Sequence, residues 1–199
     1  AEESEKVFYN QERITKSRAF AVDSKVLESR EYADKFDLMA NSPQERREFL
    51  KAAKELLQHR SGQNGEDLYL YNRDRQTWVK SVTGSKPGTP EYTEEIFNAI
   101  KKAKEKGEQV VAFHNHPGSM PPSAADINAA LQNGYSAGYV LCHDGTIYKY
   151  SAPKTKIIDA IYNKRVDSFK KTGYNEGDAQ RKALEYLSEL YDFSFREVK

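Results

Sequence analysis

Residues 109–132 read QVVAFHNHPGSMPPSAADINAALQ, and this one stretch contains a strand, a loop and a helix start. The apolar run within Gln109–His114 is typical of a buried strand. Pro117–Pro122 then forms a loop, because proline cannot extend the ladder of a central strand. Ser123 can cap a helix over residues 123–132. A buried strand that leads into a helix predicts an α/β or α+β domain.

The same helical and strand periodicities predict further elements on both sides of this stretch. A capping box at Ser42-Pro43-Gln44-Glu45 marks the start of a helix. The other predicted elements are strands at Asp67–Asn72 and Thr77–Thr83, a helix at Glu91–Lys106, a hairpin of Ala137–Cys142 and Thr146–Tyr150, two helices after Pro153 and a terminal strand over 193–198.

This order predicts an α+β fold of the three-layer α/β type, in which helices flank a mixed sheet. We expect three units in the chain. They are an N-terminal arm over residues 1–41, a core domain over 42–153 and a helical C-terminal extension over 154–199 that packs on the core.

The composition excludes several classes of function. The 199 residues carry 31 Lys and Arg against 30 Asp and Glu, so a formal charge of +1 gives no general reason to bind nucleic acid. The single cysteine, Cys142, excludes an intramolecular disulfide framework and a cysteine-rich zinc module. No apolar stretch is long enough to span a bilayer or to form a signal peptide, so the sequence predicts a cytoplasmic protein without a membrane partner.

The residues best suited to bind a metal or to take part in catalysis are His114, His116 and Asp126. Side chains alternate along a strand, so two histidines that are two positions apart face the same side. Asp126 falls in the first turn of the next helix, and the loop can bring it back to the histidines. Two imidazoles and one carboxylate make three corners of a tetrahedron, and water at the fourth is the arrangement of a catalytic zinc.

A purely structural interpretation accounts for each half of this pattern separately. Ser123 and Asp126 match an N-terminal cap with an acid in the first turn, and two strand histidines can be ordinary surface residues. The two halves lie close together on either side of the loop Pro117–Pro122, and this combination favours a metal site.

The stretch resembles the JAB/JAMM (MPN) metalloprotease superfamily, whose signature is His-x-His-Pro, a short spacer and Ser-x-x-Asp, with an upstream glutamate. The wording His114-Asn115-His116-Pro117 is most similar to RadC-like and phage-type members, although the spacer 118–122 is one residue shorter than the commonest form. The resemblance covers about residues 43–150. The sequences of residues 59–62, 66–68 and 142–150 also resemble JAB domains at the C-termini of phage head-morphogenesis proteins.

The resemblance implies that Zn²⁺ is bound by His114, His116 and Asp126, and that Glu66 is the general base. Ser123 would stabilise an oxyanion or position the helix start. RadC-like members have their glutamate on the following strand, where this chain has Lys80 and Ser81. The placement of the base on Glu66 therefore follows the eukaryotic-type members of the family.

The resemblance further implies a peptidase or isopeptidase whose substrate is a peptide or a ubiquitin-like protein. A catalytically inactive scaffold that binds phage or virion proteins is the alternative, in a bacterial or phage-associated setting. A RadC-like metal enzyme acting on nucleic acid is a third interpretation, and the near-neutral charge of the chain argues against it.

Overall fold

The computed structural model describes residues 13–199, and the first 12 residues of the expected N-terminal arm lie outside this range. Short 3₁₀ turns occur at Arg18–Phe20 and Phe36–Leu38. The helices are α1 (Ser24–Leu27), α2 (Arg30–Lys35), α3 (Pro43–Arg60), α4 (Glu94–Lys106), α5 (Ala124–Asn133), α6 (Asp159–Lys171) and α7 (Glu176–Tyr191). The strands are β1 (Leu68–Asn72), β2 (Thr77–Ser81), β3 (Val110–His116), β4 (Ala137–Cys142), β5 (Ile147–Tyr150) and β6 (Phe195–Glu197).

The six strands form one mixed sheet in the order β2-β1-β3-β4-β5-β6. Strands β3 and β4 pair in parallel, and every other neighbouring pair is antiparallel. The parallel pair needs a crossover, and α5 supplies it between the two strands. The predicted α+β fold with a mixed sheet and flanking helices is confirmed.

The sheet separates two apolar layers, because alternate side chains of each strand enter opposite sides. Tyr69 and Phe113 point to the layer that contains α3. Leu68 and Ala112 point to the layer that contains α4, α5 and α7. The candidate site lies on the side of β1 and β3 that faces this second layer.

Residues 13–41 of the expected arm form part of the folded body. Helices α1 and α2 lie within this segment, and the side chains of Leu27, Tyr32, Phe36 and Met39 are buried in the α3 layer. Ser29 caps α2 by accepting a hydrogen bond from the backbone N–H of Tyr32. The helices are too short for the apolar periodicity that would identify them in sequence.

The C-terminal extension packs on the core. Leu184 and Leu187 of α7 are fully buried in the α4 and α5 layer, and β6 extends the sheet beside β5. Within residues 13–199, no helix combines the length and the apolar character that crossing a bilayer requires.

Candidate metal centre

The register between β1 and β3 places Glu66 beside the two histidines. Leu68 pairs with His114 at the end of this antiparallel ladder, and continuing the same register two residues back from Leu68 and two residues on from His114 sets Glu66 opposite His116. Residues 66, 68, 114 and 116 share one side of the sheet because side chains alternate. Glu66 and His114 are each 4% exposed, so the three polar side chains meet at the edge of the buried layer.

The two imidazoles converge through their Nε2 atoms, which lie 3.1 Å apart. The Nδ1 atom of His116 lies 2.8 Å from the carbonyl oxygen of Met120. A proton on Nδ1 donates to this carbonyl, which fixes the ring and leaves the lone pair of Nε2 for a metal. The loop after Pro117 therefore orients one of the predicted ligands.

Asp126 faces both histidines from the start of α5. Its Oδ2 lies 3.1 Å from His116 Nε2, and its Oδ1 lies 3.4 Å from His114 Nε2. A reciprocal capping box holds it there: the Ser123 amide donates to Oδ2, and the Asp126 amide donates to Ser123 Oγ. Asp126 therefore belongs both to the helix cap and to the ligand cluster that the sequence predicts.

The separations between these donor atoms fit a tetrahedral zinc ion. Ligand atoms placed about 2.0–2.2 Å from such an ion are about 3.3 Å from one another. The closest contacts within the set His114, His116 and Asp126 are 3.1, 3.1 and 3.4 Å, and the two that involve Asp126 are made by different oxygens of its carboxylate. Two imidazoles and one carboxylate are also a donor set that zinc prefers.

Glu66 is the fourth polar residue of the cluster. Its carboxylate and the imidazoles of His114 and His116 contribute ligand atoms that all lie within 4.8 Å of one another. Burial raises the pKa of Glu66, and the opposing effect of the two imidazoles does not cancel this shift. A carboxylate with a raised pKa is a stronger base, as general base catalysis near neutral pH requires.

Asp126 shows the opposite shift. Burial favours its neutral form, but the charges and hydrogen bonds of His114 and His116 outweigh burial and hold the pKa of Asp126 well below its usual value. Two carboxylates with pKa values pushed apart by their surroundings are suited to different roles. The lower pKa suits a metal ligand, and the higher pKa suits a base.

The proton on His116 competes with any metal ion. Burial lowers the pKa of His116, but the hydrogen bond and charge of Asp126, together with Glu66 and the Met120 carbonyl, raise it to about 9. A metal must displace this proton in order to bind. The negative charge that raises the pKa also favours a cation at the same place.

Asp67, next to Glu66, faces the other side of the sheet, as strand alternation predicts. Its carboxylate accepts a hydrogen bond from Arg60 Nε at 2.7 Å and lies 2.6 Å from His59 Nδ1. Arg60 is buried, and its guanidinium also donates to the carbonyls of Glu66, Val82 and Gly84. Arg60 and Asp67 hold the segment that carries Glu66 in place, but neither of them contributes a group to the cluster.

The positions where RadC-like members have their glutamate do not join the site. Lys80 extends toward α3, where it binds Glu55, and the Ser81 hydroxyl donates to the Glu91 carbonyl. Cys142 is fully buried, and burial raises the pKa of its thiol well above the usual value. The cysteine is therefore a core residue, as the sequence indicated.

Sequence reasoning missed the residues that surround the cluster. A cavity of about 310 Å³ lies beside Glu66, His116 and Asp126, and its wall includes Phe20 and Gln180. Phe20 belongs to the N-terminal segment, and Gln180 belongs to α7. No spacing pattern relates residues so distant in the chain, so only the tertiary structure shows that both terminal segments border the site.

Comparison with protein-family models, with curated proteins and with solved structures gives no match for this chain. The resemblance to the JAB/JAMM superfamily therefore rests on the motif alone.

Proposed function

We propose that the protein is a zinc-dependent metallohydrolase that cleaves peptide or isopeptide bonds. The observation that carries the proposal is the convergence of His114, His116 and Asp126 at separations suited to zinc, with the buried carboxylate of Glu66 beside them. The three convergent residues would hold the ion.

A zinc ion at this place supplies Lewis acidity, which polarises a carbonyl group and acidifies water. Glu66 accepts a proton from the attacking water and returns it to the leaving amine. The hydrogen bond that Arg60 donates to the Glu66 carbonyl holds the backbone of this residue in place. The Ser123 hydroxyl accepts the Asp126 amide, so its own hydrogen is available to a substrate oxygen.

A binding scaffold is the second candidate function. Helix α7 and the residue that precedes α6 expose the apolar side chains of Leu190 and Ile158, which are 61% and 56% exposed. Exposed apolar groups of this kind suit contact with another protein. A phage or virion protein as the partner remains a prediction from the resemblance.

Metal content and hydrolysis separate the two functions. Protein purified without chelator is analysed for zinc and is then incubated with a panel of peptides and ubiquitin-like fusions. About one zinc per chain together with cleavage of a panel member supports the hydrolase. Bound zinc without cleavage across the panel favours the scaffold, and protein without zinc overturns the metal centre.

A further inference from the structure

A second cavity, of about 480 Å³, adjoins the metal cluster on the side of α4 and α5. His114, Ser123 and Asp126 form its boundary with the cluster. Gly88, Ser123 and Asp126 line both this cavity and the smaller one beside Gln180. We name the larger space the aromatic cavity, and its ring-bearing walls are Tyr92, Phe97, Tyr135 and Tyr150.

The wall of the aromatic cavity is uncharged beyond the cluster itself. Among the described residues that line it, His114 and Asp126 are the only ones with titratable groups other than tyrosines. Away from Asp126, a charged side chain would leave water here without an opposite charge to meet it, and that desolvation is costly. The part of the cavity beyond His114 and Asp126 therefore disfavours charged groups.

The floor of the cavity is a fixed aromatic surface. Tyr150 is buried, and its ring crosses directly over Gly138 of β4. A Cβ atom at position 138 would lie 2.2 Å from Cζ of Tyr150, so the ring can take this position only over glycine. Tyr92 and Phe97 pack beside each other at a ring-centroid distance of 5.7 Å, and Phe97 remains 55% exposed.

The inner wall also offers a hydrogen-bond donor. The hydroxyl oxygens of Tyr92 and Tyr135 lie 3.3 Å apart, and Asn133 Nδ2 donates to Tyr135 at 3.1 Å. One phenolic hydrogen is used between the two tyrosines, whichever of them is the donor. The other phenolic hydrogen is available to a group that enters the cavity.

We propose that the aromatic cavity is the subsite for a bulky, uncharged and preferably aromatic side chain of the residue next to the bond that is cleaved. This inference rests on the proposed function, since it assigns a substrate class to that same site. A large aromatic ring would fill the cavity and would pack against the tyrosine rings in an edge-to-face or offset-stacked arrangement. A small side chain would leave the walls without contacts.

The kinetic test compares peptides that differ only at the residue next to the cleaved bond. The zinc-loaded protein is expected to prefer phenylalanine or tyrosine over alanine, lysine and glutamate by at least about tenfold in kcat/KM. Ala129→Phe introduces a ring from the α5 wall and should abolish that preference while zinc content stays unchanged. Ala99→Phe is the matched control, because Ala99 lines a separate cavity between α4 and the β1–β2 hairpin.

A binding test needs neither zinc nor hydrolysis. N-acetyl-phenylalaninamide is titrated into the protein while the backbone NMR signals of residues 129 and 135 are followed. Saturable shifts are expected for this probe, and none for N-acetyl-alaninamide or for the Ala129→Phe variant.

The two tests fail independently. Saturable shifts without hydrolysis of any peptide would show that the cavity binds an aromatic side chain and would overturn the hydrolase. Hydrolysis without side-chain preference, together with no shifts, would overturn the subsite and leave the hydrolase standing.

Discussion

Asp126 accepts a hydrogen bond from the backbone amide of Ser123 through Oδ2, the same oxygen that lies 3.1 Å from His116 Nε2. The cap at the start of α5 and the carboxylate of the proposed metal centre are thus one group. The backbone at the start of the helix therefore holds the carboxylate of Asp126 in place.

Substitutions at these two residues should separate capping from metal binding. Ser123→Ala removes the hydroxyl that accepts the Asp126 amide, and we expect a loss of about 1 kcal/mol in the free energy of unfolding with zinc retained. Asp126→Asn keeps an oxygen for the Ser123 amide but removes the charge, so zinc should be lost while the helix survives. Elemental analysis and thermal unfolding measure the two effects. Full zinc content in Asp126→Asn would contradict its role as a ligand.

Removing one imidazole tests the metal centre directly. His116→Ala should lose the zinc that the wild-type protein binds at about one ion per chain, because only two donors of the set remain. His59→Ala is the control, since His59 lies on the other side of the sheet beside Asp67. Metal is counted after purification without chelator. Equal zinc in wild type and His116→Ala would rule out this centre.

Glu66→Gln tests the general base. Glutamine keeps the size and hydrogen-bonding shape of the side chain but cannot accept the proton from water. Zinc content should stay near that of the wild type, and kcat should fall by roughly 10²–10⁴-fold. The comparison with His114→Ala, which should lose zinc and activity together, distinguishes a base from a ligand. An unchanged rate in Glu66→Gln would exclude the assignment.

Truncation after Ala152 should prevent folding. The deletion removes α7, whose Leu184 and Leu187 are fully buried, and removes the edge strand β6. The core below α7 would be exposed to water, and the loss of Leu184 and Leu187 together with the buried Ile157, Phe193 and Val198 is comparable to the whole stability of a domain. The thiol of Cys142 reports the outcome, because it is fully buried in the intact chain. A truncated protein whose thiol resists reagents as well as the full chain would refute this expectation.

A methyl group at position 138 should disturb the floor of the aromatic cavity. Gly138→Ala forces the ring of Tyr150 out of its place, and overpacking of this kind costs about 1–3 kcal/mol. The double variant Gly138→Ala with Tyr150→Leu removes the clash and should recover part of the loss. Chemical denaturation of the three proteins measures this. A single variant as stable as the wild type would show that the ring has room to move.

The sequence predicts the central elements well, because each has a strong local signal. Strand Ala137–Cys142 has the predicted bounds, and Ser42 caps the start of α3 as predicted, although the Glu45 carboxylate accepts from the amide of Asn41 and not from that of Ser42. The opposite orientations of Glu66 and Asp67 also follow from strand alternation. The histidines and Asp126 converge as the motif spacing predicts. Their roles in metal binding and catalysis remain predictions.

Other features depend on contacts between distant parts of the chain. Helices α1 and α2 are held by burial against α3, which a local pattern does not record. Gln180 and Phe20 reach the site from the two terminal segments. The aromatic cavity depends on a ring in β5 that lies over a glycine in β4. These relationships are set by strand register and helix docking, and neither leaves a periodic signal in the sequence.

The adjacent acids Glu66 and Asp67 face opposite sides of the sheet. The number of residues in their segment therefore matters more to the site than the identity of the other residues in it. One acid points to the metal cluster, and the other is locked to Arg60 on the opposite side of the sheet. Inserting one residue between Asp67 and the start of β1 would exchange their directions, because the side-chain period of a strand is two. The buried guanidinium would then lose its carboxylate, and the cluster would receive a different acid. Over evolutionary time, we expect this segment to accept substitutions at its exposed positions but to reject changes in residue count.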